Sequence, residues 1–297
     1  MVNSMNKVNL HMHTNHSLDG DVEVNDVINR CLENSISYIS ITDHDTCDAY
    51  MDIDLNKINN KGTLIYGMEA DAIINGVTYD ILCYGFDLDK VSNWAKEQYG
   101  TVETRQIKIY DKLVEDCNKL NLELDNSIPY DPKNEYAHAA IYRMLSVKED
   151  NKSFLDKYEI LNVSDFYRLS TMDNEFPLYI DMRIVWPTID VLSKVIHDNG
   201  GKLFLAHPYK YAKGLSSEEI LDSCSSFVDG IEICNEPKTK EEVEYLYEYA
   251  KKNKLLVSAG SDFHGTEKHN KLLFDIDLKM EKDILKWLDD VSGKIEF

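Results

Sequence analysis

A succession of short apolar runs, each closing on a histidine or a carboxylate, constrains this chain more than any other feature. Residues 8–13 (VNLHMH) alternate, so Val8, Leu10 and Met12 share one strand face while Asn9, His11 and His13 share the other. The two imidazoles then stand one strand repeat apart, about 6.5 to 7 Å, a span one metal ion can bridge. Val24, Val27, Ile28, Cys31 and Leu32 follow with the i, i+3, i+4, i+7, i+8 spacing of an amphipathic helix, and YISIT reads as a buried strand after it.

The same order recurs along the chain. LIYGME, YDILCYGF, KLFLAHP, GIEICN and LLVSAGSDFHG read as strands ending in polar or ionisable residues. Helical periodicity separates several of them: Ile189, Leu192, Val195 and Ile196 mark one helix, stopped by Gly200–Gly201, and TKEEVEYLYEYAKKN marks another. Such alternation predicts an α/β fold with a mostly parallel sheet, closed or open. Residues from about 93 to 186 break the rhythm with a charged helix over about 93–121, the DNSIPYDPKN loop and a tyrosine-rich helical segment. The organisation we favour is one barrel from 1–92 and 187–297, with 93–186 inserted as a mainly helical cap.

In a parallel α/β sheet the C-terminal strand ends converge, so residues distant in sequence become neighbours. His11 and His13, the Thr42–Thr46 segment with His44, Glu69, His207, and Asp262 with His264 all occupy such positions. Five of the nine histidines lie there, and burying them without partners would be costly, which argues against a chance scatter of solvated residues.

Together His11-Met12-His13, the Ser17–Gly20 turn, Thr42-Asp43-His44-Asp45-Thr46, Gly67-Met68-Glu69, Ala206-His207-Pro208 and Gly260–Gly265 resemble the PHP (polymerase and histidinol phosphatase) family. The resemblance implies a distorted (β/α)7 barrel with two or three divalent metal ions at its C-terminal rim. It places His11, His13, Glu69 and Asp262 around one ion, Glu69 and His207 at a second, and Asp19, His44 and His264 at a third. The imidazole and carboxylate donors suit Zn, Mn or Fe. This sequence departs from the family pattern at Asp80, where a histidine is usual and the carboxylate is the expected ligand, and at Tyr136, where an arginine often stands two positions before the later histidine, here His138.

The implied activity is metal-dependent phosphoesterase chemistry on a small phosphate ester, a nucleoside 3′,5′-bisphosphate or short oligonucleotide, with a metal-bound hydroxide as nucleophile. Histidinol-phosphate phosphatase is the alternative enzyme reading, and a non-catalytic metal-stabilised binding module the alternative outside enzymes. A closed structural zinc site normally takes four ligands, so the surplus here favours open, multinuclear chemistry. His264 and His138 are the candidate proton donors to the leaving group, and Arg105, Arg143, Arg183 and Lys210 the candidate phosphate clamps. Tyr110, Tyr130, Tyr136 and Tyr142 of the insertion are candidates for a stacking wall or for the cap's own core. His16, His197 and His269 are read as surface residues.

Charge narrows the substrate. A formal net charge of −21 repels a polyanion at a distance, so a small phosphorylated molecule is expected and a long nucleic acid is not. No run approaches the roughly 18 apolar residues of a membrane span, and no cleavable apolar segment precedes the first strand, so a cytoplasmic enzyme is expected. The six cysteines form no C-x-x-C pair and sit in apolar segments, which predicts free, packed thiols.

Overall fold

The computed structural model describes residues 7–211, 217–234, 239–265, 271–272 and 276–297. Its strands are β1 (Val8–Asn9), β2 (Tyr38–Ile41), β3 (Thr63–Ile74), β4 (Val77–Tyr84), β5 (Lys202–Leu205), β6 (Gly230–Cys234), β7 (Leu256–Ala259) and β8 (Lys294–Glu296). They lie side by side in the order β1-β2-β3-β4-β5-β6-β7, with β8 paired to β3. β1, β2 and β3 run parallel, as do β5, β6 and β7. The two ends of this order meet: Leu10 N–H donates to Ala259 O at 3.1 Å, Asp262 N–H to His11 O at 2.9 Å and His13 N–H to Phe263 O at 2.7 Å. The fold is thus a mixed α/β one in which β1 to β7 form a nearly closed barrel, as the family resemblance implies.

Periodicity decides which faces are buried. The helix Val24–Glu33 buries Val24, Val27, Ile28, Cys31 and Leu32, the residues its spacing singles out. Helix Lys240–Asn253 starts at a capping box in which Thr239 and Glu242 satisfy one another's backbone N–H groups. Helix Leu278–Asp290 brings Trp287 against Tyr84 and Phe204, with ring centroids 5.7 and 4.8 Å apart, and its indole N–H donates to Val257 O. All six cysteines are buried, and among the described residues none forms a disulfide.

The chain departs from a purely parallel barrel at β4. β3 does not end at Glu69 but continues to Ile74, turns through Asn75 (φ 52°) and Gly76 (φ 87°), and returns as β4, which pairs antiparallel with β5. Asn-Gly is the dipeptide that suits a two-residue hairpin, because both central residues need positive φ. Glu69, which the apolar pattern marks as a strand end, thus lies in the middle of a longer strand. As a result Asp80 reaches the rim from the first half of an antiparallel strand.

The chain divides into two compact units: Met1–Ala72, Tyr79–Ala95 and Ile189–Phe297 form one, Ile73–Thr78 and Lys96–Thr188 the other. The expected single helix over 93–121 is instead two, Leu88–Tyr99 and Val102–Lys119. They are parted at Gly100 (φ 63°), and a capping box on Thr101 starts the second. The second unit has an aromatic core: Phe176 packs on Phe154, Tyr158 and Phe166. Tyr110 and Tyr130 stack at 4.3 Å, and the Tyr142 hydroxyl donates to Leu161 O, so these tyrosines serve packing within the unit, while Tyr136 is exposed. Among the described residues no helix is long and apolar enough to cross a membrane.

Candidate metal centre

The chain following β1 carries His11 and His13 into the interior, both fully buried. Gly260, just after β7, makes room for them: a Cβ there would stand 2.2 Å from His11 Cβ and 2.4 Å from His11 N. Only glycine lets the strand end come this close. Three non-glycine residues around the same rim hold left-handed backbone, Asp45 (φ 59°), His207 (φ 28°) and Asp262 (φ 54°). Each such residue costs of order 1 kcal/mol or more and persists where its surroundings hold it.

Four donors meet first. His11 Nε2 lies 3.2 Å from His13 Nε2, 3.1 Å from Glu69 Oε2 and 3.2 Å from Asp262 Oδ1. His13 Nε2 lies 3.1 Å from the same Glu69 oxygen and 3.3 Å from the same Asp262 oxygen. Donors bound at about 2.05 Å around one tetrahedral ion stand about 3.3 Å apart, so these residues fit a divalent ion without rearrangement.

Two further groups adjoin this one, each with donor atoms within 4.8 Å of one another. In the first, Glu69 turns its other oxygen, Oε1, to His207 Nε2 at 2.9 Å, and Asp80 Oδ2 lies 3.4 Å from that nitrogen. In the second, His13 stacks on both His44 and His264, with ring centroids 4.6 and 4.2 Å away, and those two rings lie 6.3 Å from one another. Asp19 Oδ2 stands 3.4 Å from His264 Nε2 and 4.0 Å from His44 Nε2. Asp19 Oδ1 is buried with no hydrogen-bond partner among the described residues, a lone pair that a cation would satisfy. The nine residues named as metal ligands from sequence are therefore gathered in one place.

Charge is compensated inside the cluster. Burial alone would lower the His11 pKa, but the Glu69, Glu232 and Asp262 carboxylates outweigh it and hold it well above the usual imidazole value. For His13 burial is likewise outweighed, by hydrogen bonds to Asp262 and Glu69, and the ring is raised to about 10. Glu69 and Asp262 are held well below the carboxylate range, because nearby imidazoles overcome the cost of their burial. Lys210 donates to Asp262 Oδ2, and that carboxylate raises the ammonium above its ordinary value despite burial. Burial lowers His264, whose Nδ1 lies 2.8 Å from the Asp262 carbonyl oxygen. Metal ions and protons compete for the same nitrogen lone pairs.

Two supporting carboxylates escaped the sequence reading. Asp43 accepts from Thr14 N–H and Oγ1–H, both at 2.7 Å, and from Ser17 Oγ–H at 2.8 Å, pinning the loop that leads to Asp19. Glu232, buried in β6, lies 2.9 Å from His11 Nδ1. The available signal was a single charge inside the apolar run GIEIC.

The remaining candidates have local surroundings of their own. Arg105 is buried, and its Nη1 donates to the Tyr99 and Gly100 carbonyls. Arg143 is paired with Glu135 and Arg183 with Asp181. His138 is buried against Phe166 and Tyr167, its Nε2 has no hydrogen-bond partner among the described residues, and burial pushes its pKa down to about 3. His16 pairs with Asp52 and His197 with Asp229. His269 lies outside the described residues.

Residues 9–294 match the PHP domain family. The chain is 26% identical over 264 residues to a 5′-3′ exoribonuclease of Haemophilus influenzae, covering 87% of this chain and 90% of the relative. It is 25% identical to the 5′-3′ exoribonuclease Rnm of Salmonella typhimurium, covering 86% and 84%. Among solved structures it resembles a Bifidobacterium adolescentis protein described as a metal-dependent phosphoesterase, with a TM-score of 0.60, 22% identity and coverage of 94% and 95%. An amidohydrolase from Chromobacterium violaceum gives a TM-score of 0.60 at 18% identity, with coverage of 93% and 96%. These two likenesses speak for the fold.

Proposed function

Because the chain belongs to the PHP family, a family of metal-dependent phosphoesterases, we propose that it hydrolyses the phosphate ester of a nucleotide, in a nucleoside 3′,5′-bisphosphate or at the end of a short oligoribonucleotide. The observation that carries the reading is the set of five donor separations of 3.1 to 3.3 Å among His11, His13, Glu69 and Asp262. Around it we assign Glu69, Asp80 and His207 to a second ion and Asp19, His44 and His264 to a third, with Zn, Mn or Fe as the metal. Divalent ions held there would make water nucleophilic at neutral pH and offset charge on the phosphoryl oxygens.

The chain's own groups divide the remaining work. Glu69 offers one oxygen to each of two adjoining groups, the arrangement of a bridging ligand. Lys210 keeps its charge at neutral pH and is partly exposed beside Asp262, which suits it to orient an anionic phosphate. His264 donates Nδ1–H to the Asp262 carbonyl in this reading, leaving its Nε2 lone pair as a ligand rather than a proton source. His138 stays neutral far below physiological pH, and Arg105, Arg143 and Arg183 are engaged with local partners, so none of these four is given a step.

The exoribonuclease relatives support a nucleotide substrate, and the net charge of −21 supports a small unit or a chain end rather than a long bound track. A cytoplasmic location and a capping role for residues 93–186 belong to the same proposal. The test is kcat/KM for a nucleoside 3′,5′-bisphosphate, a 5′-phosphorylated short oligoribonucleotide, histidinol phosphate and a long RNA over a salt series. The first two should be preferred with a shallow salt slope. Preference for histidinol phosphate, or for long RNA with a steep slope, overturns the assignment.

A further inference from the structure

Glu232 stands in β6 among apolar neighbours and is 1% exposed. A carboxylate this deep is costly unless its oxygens are met by donors. Both are met, and from two different strands' ends. Oε1 lies 2.9 Å from His11 Nδ1, beyond β1, and Oε2 accepts the backbone N–H of His207, beyond β5, at 2.8 Å. On the opposite edge of its ring, His11 Nε2 faces Glu69, Asp262 and His13. His207, whose backbone is held at φ 28°, likewise points Nε2 at Glu69.

We propose that Glu232 is a positioning residue serving two adjoining ion positions at once. It takes the Nδ1–H of His11, which leaves the Nε2 lone pair for one ion, and it anchors the strained backbone of His207, which aims that imidazole at the next. The inference rests on the metal-centre reading above. A carboxylate is required because both of its partners are donors. Glutamine has nearly the same shape but only one accepting oxygen, so Glu232→Gln sets an amide N–H against either His11 Nδ1–H or His207 N–H. Metal-binding histidines are commonly oriented through their second nitrogen, and losing that partner weakens binding by about 10- to 100-fold.

The experiment is a Zn²⁺ binding isotherm on full-length wild type and Glu232→Gln, each checked for native circular dichroism, with ¹⁵N-histidine spectra of the zinc-loaded wild type. The variant should bind at least two ions 10- to 100-fold more weakly, and His11 should show a protonated Nδ1 with zinc on Nε2. Unchanged affinity in a folded variant, or zinc on His11 Nδ1, overturns the assignment of Glu232 while leaving the metal centre in place. Wild type that takes up no zinc removes the metal-centre reading and the role of Glu232 with it. Should the variant not fold, the His11 tautomer in wild type still decides.

Discussion

Replacing Gly260 with alanine tests whether the approach of β7 to β1 sets the geometry of the cluster. The added Cβ would meet His11 Cβ at 2.2 Å, N at 2.4 Å and Cα at 2.7 Å, all backbone or backbone-proximal atoms with no flexible end to yield. Ordinary carbon contacts begin near 3.4 Å, so His11 and residue 260 must separate by about 1.2 Å. Overpacking on this scale costs about 1–3 kcal/mol of stability. A displacement of about 1 Å at a catalytic constellation costs on the order of 100-fold in rate. The backbone at Gly260 is not in the left-handed region, so alanine brings steric conflict without torsional strain. Gly76→Ala is the matched control: it has positive φ (87°) and open space around it, and should cost only about 1–2 kcal/mol, with metal content unchanged. The assay is thermal denaturation, bound metal and kcat on the three proteins. Gly260→Ala with wild-type metal content and wild-type kcat would refute the argument.

Three further outcomes follow from the same geometry. His138 has its folded pKa depressed to about 3, so its contribution to stability is present above the unfolded value of 6.5 and is lost as pH falls toward 3. At about 1.4 kcal/mol per pH unit below 6.5, wild type should lose about 2 kcal/mol more than His138→Leu between pH 7 and 5 in urea unfolding, and parallel losses would contradict the burial argument. Asp80→Ala should reduce bound metal by up to one ion per chain with the fold intact, and an unchanged metal count and turnover would return Asp80 to a solvated acid. Lys210→Met should raise KM for a phosphate ester about tenfold or more, the loss of roughly one charge-assisted contact, and an unaltered KM would remove it from substrate binding.

What the sequence made legible was periodic. Alternation from Val8 to His13 and the helical spacing from Val24 to Leu32 depend on neighbours a few residues away, and the rule that strand ends converge supplies the rest of the argument for His11, His207 and Asp262. The β3–β4 hairpin has a local signal in Asn75–Gly76, but the ionisable Glu69 at the end of an apolar run mimics a strand boundary five residues before the real one. The break at Gly100 was hidden by continuous helical periodicity on either side, where a single glycine and a threonine cap decide the matter. Glu232 was missed for a different reason. Its role depends on groups 221 and 25 residues away along the chain, and nothing local to GIEIC states which donors its oxygens will meet.

In the proposed reaction, hydrolysis depends on ions held by His11, His13, Glu69 and Asp262 and their neighbours. Its most direct test is to strip the protein of metal, confirm by circular dichroism that it stays folded, and restore Mn²⁺ stepwise while bound metal and phosphate released from a nucleoside 3′,5′-bisphosphate are measured on the same sample. The stripped protein should show no turnover, and activity should rise with bound ions to a plateau at two or three per chain. Full activity in the stripped protein, or no phosphate release from the fully loaded one, would contradict it.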